Sequence, residues 1–141
     1  MGFKATDFAP ISSTGPTALI PAAKDVVCKA FSVARTDTTA ALKCVLPADA
    51  SIIAIYIAGT ASDAGTSATI SLGTTTTSNE LVNAQDVKGA GTYIRPTIVG
   101  TAVMQTENLP LGSDIQIYAK YAESGTASTV GSWKVVVEYV R

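Results

Sequence analysis

From Lys24 onward the chain is a succession of short segments in which apolar and polar residues alternate with a period of two, the pattern of strands with one buried face. The segment 26–33 sets Val27, Phe31 and Val33 on one face and Cys28 and Ala30 on the other, and Arg35-Thr36-Asp37-Thr38 follows as a turn. In 41–46, Leu42, Cys44 and Leu46 are in phase before Pro47 stops the strand. The most apolar run is 51–58, with Ile53, Ile55 and Ile57 on one face and Ile52, Ala54 and Tyr56 on the other. Apolar residues on both faces predict a central strand, or one whose second face a partner covers. After a Ser62-Asp63-Ala64-Gly65 turn, 67–72 alternates Ala68, Ile70 and Leu72 with Thr69 and Ser71.

The second half is less regular. Gly73 and the threonines at 74–77 read as a loop. The stretch 79–87 is the one place with helical character, capped by Ser78 or Asn79 and placing Leu81, Val82 and Gln85 on a shared face. We expect a short turn of helix or irregular structure there, ended by Gly89 and Gly91. A strand at 92–99 is interrupted by Pro96, which marks an edge, and a shorter one is expected at 102–106. The segment 114–121 alternates Ile115, Ile117 and Ala119 with Gln116, Tyr118 and Lys120. The last strand, 130–140, puts Trp133, Val135, Val137 and Tyr139 on its core face. Seven or eight short strands with Gly, Pro and Thr connections predict an all-β fold. An antiparallel β-sandwich of jelly-roll type is the first choice.

Residues 1–23 break this pattern. Pro10, Pro16 and Pro21 forbid a central strand, so we read an extended N-terminal arm preceding a β-sandwich domain at 24–141. The arm carries Phe3, Phe8, Ile11, Leu19 and Ile20, more apolar groups than a free tail keeps. It either lies over a neighbouring subunit or folds back over its own sheet.

Composition narrows the function. The 141 residues suit one domain, and the 15% charged fraction is low against the ordinary quarter. A Thr- and Ala-rich surface with few charges costs little to cover with protein. The net charge of −1, with Lys and Arg scattered singly, argues against nucleic-acid binding. No apolar stretch approaches the roughly 20 residues of a membrane span, and no apolar run follows Lys4 as a secretory signal would require. Met1-Gly2-Phe3-Lys4-Ala5-Thr6 fits the myristoylation pattern, but that pattern is short and often met by chance, and an ordinary start followed by a small residue is the preferred reading.

Chemistry is sparse. There is no histidine, which removes the usual general base and most zinc sites. The acids, among them Asp7, Asp37, Asp49, Asp63 and Glu123, sit in turns, where carboxylates are solvated or bonded to their own backbone. No Asp-x-Asp cluster offers calcium its oxygens, and the Thr run after Gly73 lacks the lysine of a phosphate loop. We therefore expect no enzyme, no cofactor, no metal and no small-molecule substrate. If 26–33 and 41–46 form a hairpin turning near Thr36, Cys28 and Cys44 are cross-strand neighbours. They are then either a disulfide or redox clasp, or two buried thiols of the kind common in proteins made in reducing cytosol. Trp133 reads as core, and Tyr93, Tyr118 and Tyr121 as candidates for a protein interface.

Two stretches carry a family likeness. One is Phe31-Ser32-Val33-Ala34-Arg35-Thr36-Asp37, then Leu46-Pro47-Ala48-Asp49-Ala50 leading into Ile52-Ile53-Ala54-Ile55. The other runs from Gly65-Thr66-Ser67-Ala68-Thr69-Ile70-Ser71-Leu72-Gly73-Thr74 through Asn79-Glu80-Leu81-Val82-Asn83-Ala84 to Gly89-Ala90-Gly91-Thr92. Over residues 25–140 the chain resembles small virion proteins of tailed bacteriophages, in particular capsid decoration (cement) proteins. The resemblance implies a β-sandwich or jelly roll on the capsid surface, assembled in the host cytoplasm. It implies a homotrimer that clamps adjacent major capsid subunits. Phage fibre and tail proteins with a receptor- or glycan-binding sandwich share the same style and are the alternative.

Overall fold

A computed structural model of the protein describes residues 25–89 and 113–141. Seven strands occur among them: β1 (Val26–Ala34), β2 (Ala41–Leu46), β3 (Ser51–Thr60), β4 (Ser67–Gly73), β5 (Val82–Asp86), β6 (Ile115–Ser124) and β7 (Ser132–Val140). They form two antiparallel sheets, one ordered β1-β7-β3 and the other β2-β6-β4-β5. The described strands alternate between the sheets from β1 to β4, β5 and β6 stay with β4 in the second sheet, and β7 returns to the first. This is a jelly-roll-like order. The expected strands at 92–99 and 102–106, and the arm at 1–23, lie outside the described residues.

The two inner faces make one core. Val33, Ile57, Trp133, Val135 and Val137 from the first sheet face Leu46, Ile70, Leu72, Ile117 and Tyr121 from the second. The Trp133 indole stacks on the Tyr121 ring, with centroids 5.3 Å apart and planes 21° apart. Gly59, opposite Trp133 on β3, makes room for it. A Cβ there would lie 2.1 Å from the Ser132 carbonyl oxygen and 2.9 Å from Trp133 Cδ1.

Four expectations about local structure are corrected. β1 and β2 do not form a hairpin: β1 pairs with β7 and β2 with β6, because the Arg35–Thr38 turn carries the chain from one sheet to the other. A bulge between Leu42 and Cys44 takes Leu42 out of phase. Leu42 is exposed opposite Tyr118 on the outer face, and Lys43 donates from Nζ to Asp37 Oδ2 at 2.7 Å. A second bulge between Ile52 and Ala54 leaves Ile53 at the surface, while Ile52, Ile55 and Ile57 are fully buried. Among the described residues β3 pairs with β7.

The fourth correction concerns 79–87, which holds β5 and no helix. The Leu81 N–H donates to the Leu72 carbonyl and the Val87 N–H to the Ala68 carbonyl, so the segment is stitched to β4 from both ends. A helix this short is marginal in water, whereas β5 with its two flanking residues buries Leu81, Val82 and Val87.

Candidate functional site: interaction surfaces

The outer face of β1-β7-β3 is weakly charged among the described residues. Since Val27, Phe31 and Val33 of β1 turn inward, Val26, Cys28, Ala30 and Ser32 turn outward, and all four are exposed, Val26 to 58%. Their partners on β7 are Val140, Glu138, Val136 and Lys134. Half-buried Tyr56 and Ala58 of β3 complete the face, while Ala54 beside them is buried. Lys134 and Glu138 are its charges, and Glu138 accepts a hydrogen bond from Tyr56 Oη at 3.1 Å. The outer face of the other sheet is hydroxyl-rich, with Ser67, Thr69 and Ser71 along β4 facing Ser124, Ala122 and Lys120 of β6. Its apolar spot is at β2, where exposed Leu42 and Val45 lie opposite Tyr118 and Gln116.

The candidates from sequence separate on this frame. Tyr118 is half-buried on that outer face, its hydroxyl donating to Gln116 Oε1 at 2.7 Å, and stays available for contact. Tyr121 does not: it is fully buried, because its position in β6 follows Ile117 and Ala119 onto the core face. Phe3, Phe8, Ile11, Leu19, Ile20 and Tyr93 lie outside the described residues. Cys28 and Cys44 are not cross-strand neighbours. Cys28 sits exposed opposite Glu138 in one sheet and Cys44 half-buried opposite Ile117 in the other, and both thiols are free. Burial pushes the Cys44 thiol up, with the nearby Lys29 charge opposing it.

Tyr121 instead anchors a polar network that ties the β3–β4 loop to the β6–β7 loop. Its hydroxyl donates to Glu123 Oε2 at 2.8 Å and lies 2.8 Å from Ser62 Oγ, which is 2.9 Å from Ser128 Oγ. Burial, aided by the Glu123 carboxylate, raises the Tyr121 phenol. At the rim of the network Asp63 accepts from Ser128 Oγ (2.6 Å), Thr129 Oγ1 (2.6 Å), and the Thr129 and Val130 N–H groups (2.8 and 3.1 Å). These bonds, led by the Ser128 and Thr129 hydroxyls, hold the Asp63 carboxyl well below the usual carboxylate range. Backbone bonds from Gly65 N to Thr126 O and from Thr66 N to Ser124 O close the same joint. Gly125, at φ +82°, makes the turn.

A second carboxylate clasp closes the β4–β5 loop. Thr75 Oγ1 and Thr77 Oγ1 donate to Glu80 Oε1, and the Asn79 N–H donates to Oε2 at 3.1 Å. Burial, the largest single influence, pushes the Glu80 carboxyl up, but these bonds together outweigh it and bring it down to about 2. Both clasps consume their oxygens within the chain. The sequence marked Asp63 only as a turn residue; its fourfold acceptor role depends on Ser128, Thr129 and Val130, far away in the chain. The apolar outer face left a clearer signal, since Val136 and Val140 alternate with the core residues of β7.

The same fold occurs in chains of two solved phage assemblies. One, from the "Cyanophage Pam1 capsid asymmetric unit", aligns with a TM-score of 0.58 at 18% identity, over 86% of this chain and 88% of that one. The other, from the "Capsid of Ralstonia phage GP4", aligns with a TM-score of 0.57 at 19% identity, over the same shares of the two chains. No family model and no curated protein matches the sequence.

Proposed function

We propose that the protein is a structural component of a tailed-phage virion, a decoration protein that binds the capsid surface and bridges adjacent major capsid subunits as a homotrimer, without catalysis. The observation that carries this reading is the fold shared, over 86% of the chain, with chains of two phage capsid assemblies. The physical character of the surface supports it. A face of Val, Ala, Cys and Ser residues desolvates at low cost, and loops locked by carboxylate clasps lose little freedom on binding. Several modest contacts repeated around a symmetric particle then add through effective concentration. Major capsid protein is the partner, and the particle assembles in the host cytoplasm.

The test is co-sedimentation. Purified protein mixed with capsids that lack it should pellet with them saturably and raise their resistance to heat or chelator. Protein left in the supernatant at micromolar concentrations of both components would refute the reading.

A further inference from the structure

The outward residues of the β1-β7-β3 face fall into rows across the strands, because β7 is in regular register with both neighbours from Lys134 to Glu138. The central row is Ala30, Val136 and Tyr56. To one side lie Cys28 and Glu138, and to the other Ser32, Lys134 and Ala58. Among the described residues Glu138 and Lys134 are the charges that point outward from this sheet. They are opposite in sign, and each stands one outward position from Val136 along β7.

The face is therefore antisymmetric in charge about its central row. Turned over by a two-fold axis along that row, it meets a second copy with Lys134 above Glu138 twice over and Val136 against Val136. An axis along the strands instead sets Lys134 over Lys134 and Glu138 over Glu138, so the charges select antiparallel strands. Three further features fit a face that a second sheet covers. The side chains beside β7, among them Cys28, Ala30, Ser32 and Ala58, are short, so long side chains of a second copy can lie across them. Glu138 already accepts from Tyr56 Oη at 3.1 Å, which offsets part of the cost of taking its charge out of water. Lys29, exposed in the inward phase of β1 and close enough to Cys44 to act on its thiol, puts a charge at the β1 edge and disfavours strand-to-strand pairing there.

We propose that the outer face of β1-β7-β3 is a two-fold contact with a second copy of this chain, β7 antiparallel over β7, held by two reciprocal Lys134–Glu138 pairs around Val136. This goes beyond the proposed capsid role. An isologous contact is separate from the contacts that close a trimer, and it joins a copy in one trimer to a copy in its neighbour.

The experiment is sedimentation velocity of the full chain between about 1 and about 500 µM, the range of weak to moderate contacts. Four samples are compared: the parent, Lys134→Glu, Glu138→Lys, and a one-to-one mixture of the two variants. The parent should associate with rising concentration. Each variant alone should associate about a hundredfold more weakly, because two attractive contacts become two repulsive ones. The mixture should regain the parent's strength, since one variant then presents two acids to the two lysines of the other. Within one chain the two positions are about 13 Å apart, so this rescue reports a contact between copies. The double exchange Lys134→Glu with Glu138→Lys in one chain should also associate as the parent does, and it stands in if a single variant does not fold. Single variants that associate like the parent, or a mixture no stronger than either alone, overturn the contact. A parent that associates no more than the variants overturns it too and leaves this face to another occupant. All three outcomes leave co-sedimentation with capsids untouched.

Discussion

Two tyrosines three residues apart in β6 show how much rests on phase. Tyr118 faces out beside Leu42 and Tyr121 faces in beneath Trp133. Their hydroxyls are correspondingly unequal. Replacing Tyr121 by Phe removes a buried partner of both Ser62 and Glu123, and should cost about 1–3 kcal/mol. Tyr118→Phe removes an exposed bond to Gln116 and should stay within about 0.5 kcal/mol of the parent. Urea unfolding of the two variants separates them, and equal losses would contradict the network. The alternation in 114–121 already assigned Ile115, Ile117 and Ala119 to the core. Extending it by one step places Tyr121 there too, so that residue was legible in the sequence and was assigned against its own pattern.

At the scale of elements, the strands were legible and their irregularities were not. Alternation located β1, β4, β6 and β7, because each has one wet and one dry face. It misassigned Leu42 and Ile53, because one bulge residue reverses the phase of everything before it. It missed β5, whose hydrogen bonds come from β4 across the loop rather than from its own neighbours. The hairpin that would have joined Cys28 to Cys44 failed for a related reason: a turn's sequence does not say whether the chain returns to the same sheet.

The loop clasps give this scale its prediction. The Asp63 carboxyl lies lower in the folded protein than the roughly 3.9 of an unfolded Asp, so its ionised form stabilises the fold. That contribution is complete above about pH 4 and disappears as pH falls through the folded value. Glu80 behaves alike, its contribution fading between about 4.3 and about 2. Asp63→Asn should therefore melt several degrees below the parent at neutral pH, and the two melting curves should converge as pH falls below 4. A gap that stays constant from pH 7 to pH 2 would show that the charge on Asp63 is not what fastens the β3–β4 and β6–β7 loops.

For the whole molecule, the all-β class and the sandwich were readable because they follow from short alternating segments and the lack of helical period. Strand order was not, since periodicity is blind to which strand lies beside which. The interaction surface was half legible: the arm stood out by its prolines, while the face of β1-β7-β3 needed the fold to bring Val26, Val136 and Val140 together. The proposal of a phage decoration protein rests on a fold shared with chains of two phage capsid assemblies. The most direct measurement of its central claim is a cryo-electron microscopy reconstruction of the virion whose genome encodes this chain. A virion role on the capsid predicts density for the two-sheet sandwich at symmetry-related positions on the outer shell, in a fixed number of copies contacting major capsid subunits. A shell fully accounted for without it would contradict that role.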